Sequence, residues 1–333
     1  MSDEVVGRDA DLRAASAFLM VAAAGPAGLV FSGEPGIGKT TLWTRVIREA
    51  HERSMAILSA RPGAAETRLA FAVLADLLGT VAEDVLARLP EPQRHTLAVA
   101  LLREDAGGRR LDQRAIGAAT VRVLTELSRD GPVIVAVDNV QWLDRPSARV
   151  LAFARRLDRM PVGVLTCERL GADQKPELDL MLVMREGLAN RRALGPLAAA
   201  DLHQIVEARL GRILSRRALT RIDKVAGGNP FYAVEVALSL PDHPPPGQAV
   251  VPVPDNLSGL VTARLALLPD RARSALLPAA VLRSPTVRLV AAGMGAPPGG
   301  SRRALELAAA FGIVEPCPTP PAHSARTYRL AAI

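Results

Sequence analysis

The octapeptide Gly33–Thr40, GEPGIGKT, fits the spacing G-x-x-x-x-G-K-[ST] at every fixed position. Glycines at these positions let backbone N–H groups turn inward around an anion. Lys39 adds a point charge for β- and γ-phosphate oxygens, and the Thr40 hydroxyl can reach a magnesium ion. The expected phosphate-side residues are Gly33, Glu34, Pro35, Gly36, Ile37, Gly38, Lys39 and Thr40, followed by Thr41. A chance match in a glycine-rich turn is the alternative. Against it, an apolar run, GLVFSG (Gly28–Gly33), precedes the motif and an amphipathic stretch, TTLWTRVIREAHE (Thr40–Glu52), follows. A helix beginning there directs its dipole and free N–H groups at the same anion.

A second candidate lies in VIVAVDNVQWLD (Val133–Asp144). Apolar residues deliver Asp138 to a strand end, where a carboxylate suits the magnesium side of a phosphate site. An aspartate capping the next helix is the competing reading, and Asp144 could do that job as well. Asn139 follows where many ATP-hydrolysing proteins carry an acid. A neutral amide can orient water but cannot take its proton, so general-base help is lost. One helix separates Asp138 from the next strand, VGVLTCERL, which can therefore insert beside the strand that leads into the phosphate loop. Thr166, Cys167 or Arg169 would then face the γ-phosphate. Arg169 is the strongest because a guanidinium reads phosphate in a fork, and a surface ion pair with Glu168 or another acid competes with that role. AGGNPFYAVEV (Ala226–Val236) offers two glycines to stop a helix, Asn229 as an N-cap and Pro230 for the next first turn. A plain helix corner and a ligand-contact corner both fit it.

These residues need a rigid scaffold. Buried-type strands are expected at Gly28–Gly33, Met55–Ala60, Pro132–Asp138 and Val162–Glu168, with a weaker fifth within Arg192–Leu197. Helical stretches separate them, which predicts an α/β fold with a parallel sheet covered on both faces. Resemblance of the phosphate motif to P-loop NTPases implies a P-loop NTPase parallel sheet of strand order 5-1-4-3-2. After about Leu197 the pattern becomes helical, and DLHQIVEARLGRIL spaces Leu202, Ile205, Val206, Leu210 and Ile213 at helical intervals. PDHPPPGQAVVPVPDN (Pro241–Asn256) reads as a linker. Two or three short helices follow it. The expected divisions are a nucleotide-binding domain at 1–197, helices at 198–240, the linker at 241–254 and a last domain at 255–333.

The 333 residues exceed one ordinary core, and 49% hydrophobic with 23% charged content suits a globular chain. Cys167 and Cys317 lie far apart, and the five histidines (51, 95, 203, 243 and 323) are scattered, so neither a disulfide framework nor a zinc site is indicated. Ala14–Gly33 is uncharged over a length that could span a bilayer. Gly25-Pro26 breaks it, however, and its flank is acidic (Asp3, Glu4, Asp9, Asp11), unlike a signal peptide. A buried helix, a turn and a core strand account for it better, and a cytoplasmic location without membrane contact is expected. The net charge of +7 is nearly all arginine, since only Lys39, Lys175 and Lys224 are lysines. Residues 255–333 hold nine Arg against two Asp and two Glu, a net +5, which makes that region the first place to seek an acidic partner.

Together these motifs resemble the signal-transduction ATPases with numerous domains, the STAND branch of P-loop ATPases, and within it the large ATP-binding regulators of the LuxR type. VGRDADL (Val6–Leu12) looks like that family's opening G-R-[ED] motif, which runs past the adenine and implies nucleotide contact by Val6, Gly7 and Arg8. VDNVQWLD resembles its aspartate-aspartate-x-[HQ]-W-x-D signature. GGNPFYAVEV looks like its G-x-P motif, whose proline, here Pro230, touches nucleotide from a helical lid. VPDNLSGLVTARLALLPDRARSALLPAAVL resembles the start of its winged-helix domain. The resemblance implies ATP/ADP and Mg2+ as cofactors, held by Lys39, Thr40 and Asp138. It also implies a closed ADP form, and ATP-dependent opening with self-association. The inducer or protein partner is unassigned, and DNA binding normally resides in a separate C-terminal region. The chain stops about where the winged helix should end, so a fragment or a shortened relative is expected. Asn139 departs from the signature and implies a weak ATPase. A turnover-driven remodelling ATPase and a DNA-binding module using the basic C-terminal region are the alternatives.

Overall fold

The computed structural model describes residues 5–105, 112–152, 160–169, 178–239, 265, 268–282, 285–310, 313–316 and 328–330. The chain divides into two units, Met1–Pro196 and Leu197–Ile333.

The first unit is built on five strands: β1 (Ala27–Gly33), β2 (Ala56–Ala60), β3 (Val133–Val137), β4 (Val162–Arg169) and β5 (Ala189–Ala193). They form one parallel sheet in the order β2-β3-β4-β1-β5. Read from the opposite edge, this is 5-1-4-3-2. Every residue of β1 and β3 is buried, because both faces of the sheet are covered. Alternate side chains enter opposite cores. Val30, Val133, Val135, Val137, Val162 and Val164 join one cluster, and Leu29, Phe31, Ile134, Ala136, Leu165 and Cys167 join the other.

Helices α1 (Asp9–Ala24) and α2 (Lys39–Glu52) cover the second face through Phe18, Leu19, Leu42, Trp43 and Val46. The first face is covered by α3 (Ala72–Leu78), α4 (Glu83–Ala87), α5 (Glu91–Ala100), α6 (Gln113–Asp130) and α7 (Arg145–Leu151). The short helix α8 (Leu180–Val183) precedes β5. The uncharged run Ala14–Gly33 is thus the end of α1, a break at Gly25-Pro26, and β1. Among the described residues no helix is long and apolar enough to cross a membrane.

The fifth strand departs from expectation. It occupies Ala189–Ala193, ANRRA, and shares only Arg192 and Ala193 with the apolar window at 192–197. An edge strand has a neighbour on one side only, so it need not be apolar. Its arginines are held by acids instead: Arg191 by Glu168 and Asp179, each at 3.2 Å, and Arg192 by Asp11 at 3.0 Å.

In the second unit, α9 (Ala199–Leu210), α10 (Arg216–Ala226) and α11 (Pro230–Ser239) share a core that includes Leu202, Val206, Ile222, Ala233 and Val236. Gly211, in the left-handed region at φ 68°, ends α9, so Ile213 lies beyond the helix and is exposed rather than on its apolar face. The proline-rich segment 241–254 and the run 255–264 that follows it lie outside the described residues. Three more helices, Asp270–Val281, Val287–Met294 and Pro298–Ala310, pack on one another around Ala275, Val290 and Leu305. Beyond them β6 (Val314–Pro316) pairs antiparallel with β7 (Tyr328–Leu330), and Tyr328 N donates to Pro285 O at 2.9 Å.

Candidate functional site

The loop between β1 and α2 closes where Gly33 leaves the sheet. A Cβ on Gly33 would stand 2.9 Å from Ile37 Cγ2 and 3.1 Å from Leu194 O, so only glycine fits this packing. Gly38 caps α2 with φ 105°, a left-handed backbone that a side chain would strain. Ile37 is buried in the core and anchors the loop tip from inside. Lys39 is the first residue of α2, and its Nζ donates to Gly33 O at 2.9 Å and Glu34 O at 2.7 Å. The ammonium thus curls over the loop's own carbonyls. Burial lowers its pKa below the ordinary lysine value, and the nearby Arg169 charge acts in the same direction. Thr41 is exposed on the first turn of α2.

Asp138 follows β3 and is completely buried. Thr40 Oγ1 donates to its Oδ2 at 2.9 Å, although 98 positions separate the two residues. The other carboxylate oxygen, Oδ1, is buried and, among the described residues, has no partner in hydrogen-bond geometry, the Cys167 thiol being the nearby group that acts on this carboxylate. A buried anionic oxygen beside a hydroxyl and a phosphate loop fits a divalent cation that takes its remaining ligands from phosphate and water. Asp138 and Thr40 would hold it. Cys167 lies on the same side, its Sγ 3.8 Å from Lys39 O, and its thiol is pushed well above the usual value by burial and then by the Asp138 charge. Thr166 is buried on the opposite face of β4, with Val164.

Asn139 is half-buried in the left-handed region, φ 69° and ψ 57°, which asparagine tolerates better than most residues. Its Oδ1 accepts from Gln141 Nε2 at 3.2 Å. Arg169 ends β4 level with Gly33, and its guanidinium lies 5.8 Å over the Trp142 ring. Its expected competitor, Glu168, pairs with Arg191 instead. Asp144 is the cap of α7, accepting from Ser147 N at 2.9 Å, so helix capping falls to Asp144 while Asp138 stays with the phosphate loop.

Val6 and Gly7 form the turn before α1, with Gly7 at φ 68°. Arg8 is buried and donates from Nη2 to Ile37 O at 2.9 Å, bracing the phosphate loop from α1. Its Nη1 stands 3.9 Å from Asp11, which also holds Arg192 of β5. Pro230 starts α11 in the second unit, where Asn229 Oδ1 accepts from Phe231 N at 3.1 Å.

Two contacts escaped the sequence reading. One is the Arg8–Ile37 hydrogen bond. The other is Arg61, just after β2, whose Nε is 3.4 Å from Asp138 Oδ2 and whose guanidinium lies 5.6 Å over Trp43. Both depend on non-local packing. The only signal for Arg61 was its place directly after a strand of the sheet.

Comparison with known proteins agrees with this geometry. Residues 4–166 match the family model of the AAA ATPase domain. No curated protein matches the chain. Among solved structures, a signal transduction ATPase with numerous domains (STAND) protein from Pyrococcus horikoshii, with a tetratricopeptide repeat sensor, aligns at TM-score 0.57 and 14% identity. The alignment covers 98% of this chain and 41% of that one. The Aeropyrum pernix ORC1 protein, solved in complex with DNA, aligns at TM-score 0.47 and 17% identity over 100% of this chain and 91% of its own. Likeness at that TM-score carries no functional weight. The matched segment, the five-stranded sheet and the phosphate loop together support a P-loop ATPase in the first unit, similar over residues 4–166 to the AAA ATPase domain.

Proposed function

We propose that this chain is an ATP/ADP-binding regulatory switch of the STAND type, the ATPase part of a LuxR-like transcriptional regulator. The observation that carries the reading is the Thr40–Asp138 hydrogen bond at 2.9 Å, which joins the strand-end carboxylate to the phosphate loop. In this reading Gly33–Thr41 wrap the phosphates and Lys39 leaves Gly33 O and Glu34 O for the β/γ oxygens. Val6, Gly7 and Arg8 border the base. Arg169 leaves Trp142 for the γ-phosphate. Thr40 and Asp138 would hold magnesium, which would supply positive charge to the phosphates.

Two features favour a switch over a motor. Asn139 supplies no general base, and its amide oxygen is already engaged by Gln141. The second unit also offers a three-helix cluster followed by a β-pair, with Tyr328 bonded back to Pro285, an order that supports a winged helix. The STAND protein from Pyrococcus joins its ATPase to a repeat sensor, and this chain spans 41% of it. A sensor and a separate DNA-binding region would then belong to a longer regulator.

The test is to identify the nucleotide that copurifies and to measure mass by light scattering with ADP and with a non-hydrolysable ATP analogue. Monomers with ADP and larger assemblies with the analogue are expected. The same mass in both states would remove the switch.

A further inference from the structure

Ala60 is level with Val137 in the β2–β3 register, so the residues that follow, Arg61 and Asp138, leave the sheet side by side. The contact between them, 3.4 Å from Arg61 Nε to Asp138 Oδ2, falls on the oxygen that also accepts the Thr40 hydroxyl. A cation approaching between Thr40 and Asp138 therefore meets a guanidinium already seated on its carboxylate ligand. Lys39, a second nearby cation, is hydrogen-bonded to Gly33 O and Glu34 O, and Arg169 lies over Trp142. A carboxylate with no solvent exposure requires a counter-charge, and Arg61 supplies one at the closest range. Its side chain is 30% exposed and rests on the Trp43 ring, so the guanidinium has a route toward water.

We propose that Arg61 is a positioning residue that competes with magnesium for Asp138 and so sets how strongly nucleotide binding depends on the metal. It neutralises the buried carboxylate while the metal is absent. A dication and a guanidinium on one carboxylate repel each other at a few ångströms, so metal entry displaces Arg61 from Oδ2. Removing its charge favours the metal-loaded complex. It also disfavours the metal-free one, in which a polyphosphate would face an uncompensated Asp138. This inference rests on the nucleotide site proposed above.

The full chain is titrated by calorimetry with a non-hydrolysable ATP analogue, once in EDTA and once in excess MgCl2, and the two dissociation constants are taken as a ratio. Arg61→Gln is expected to raise the EDTA-to-magnesium ratio about tenfold, with Arg61→Lys close to wild type. A purely structural Arg61 would weaken both affinities together, and an unchanged or smaller ratio in Arg61→Gln overturns the proposal. A second reading keeps Arg61 in place. In a Trp142→Phe chain with analogue bound, adding MgCl2 is expected to change Trp43 emission as the guanidinium leaves the ring, and constant emission overturns the proposal too. Wild-type protein that binds no analogue in either buffer would defeat the nucleotide assignment itself, and this inference with it.

Discussion

Asn139 leaves β3 with a left-handed backbone, and its side-chain oxygen is held by Gln141. Aspartate tolerates the same conformation, so Asn139→Asp changes charge and basicity with little cost to the turn. The variant is expected to release phosphate about tenfold faster or more, within the usual contribution of a general base. Steady-state phosphate release no faster than wild type would remove this account of Asn139. At this scale the sequence showed which residues the fold would bring to one loop. Local spacing places Gly33, Lys39 and Thr40 at the junction of β1 and α2, and Asp138, which Thr40 meets, is marked by the apolar strand that ends on it. Arg61 and the Arg8 contact were not legible. Each acts across the fold, on a carboxylate 77 positions away or a carbonyl 29 positions away, and no local pattern encodes such a meeting.

Between elements, Asp144 does more than cap α7. Its Oδ1 accepts from Phe71 N at 2.9 Å as well as from Ser147 N, and its Oδ2 accepts from Val73 N at 3.2 Å. Ser147 Oγ accepts from Leu74 N at 3.1 Å. The free N–H groups at the start of α3 are thereby satisfied by the loop and helix that follow Asp138. Asp144→Ala orphans three buried donors and should cost about 3 kcal/mol or more of stability, read from the urea midpoint. Asp144→Asn, which retains one acceptor oxygen, should lose less. A loss below about 1 kcal/mol for the alanine would contradict this bracing role. The buried strands were readable because both faces of a covered parallel sheet demand apolar residues. The edge strand β5 was misplaced for the same reason, since its arginines are satisfied by Asp11, Glu168 and Asp179 rather than by a core. Ile213 misled because helical spacing alone ignores the stop at Gly211.

For the whole molecule, the chain divides into the units Met1–Pro196 and Leu197–Ile333, and the proposed switch would need two such units. Moving such a molecule from 1:99 to 99:1 needs about 5.5 kcal/mol of differential affinity between nucleotide states. Phosphate contacts made in only one state are of the right size to supply that. Near Leu197, where the second unit begins, the sequence changes from alternating strand and helix patterns to a helical period. The small β-pair at 314–316 and 328–330 was not visible in the sequence, because three-residue strands carry too little pattern. The central claim is that one pocket, built by Lys39, Thr40 and Asp138, grips a nucleotide. Its most direct test is a calorimetric titration of ATP with magnesium into wild type and Lys39→Ala, alongside their circular dichroism spectra. The account predicts saturable binding at one site per wild-type chain and no measurable binding by an equally folded Lys39→Ala. Equal affinity in the two proteins would contradict it.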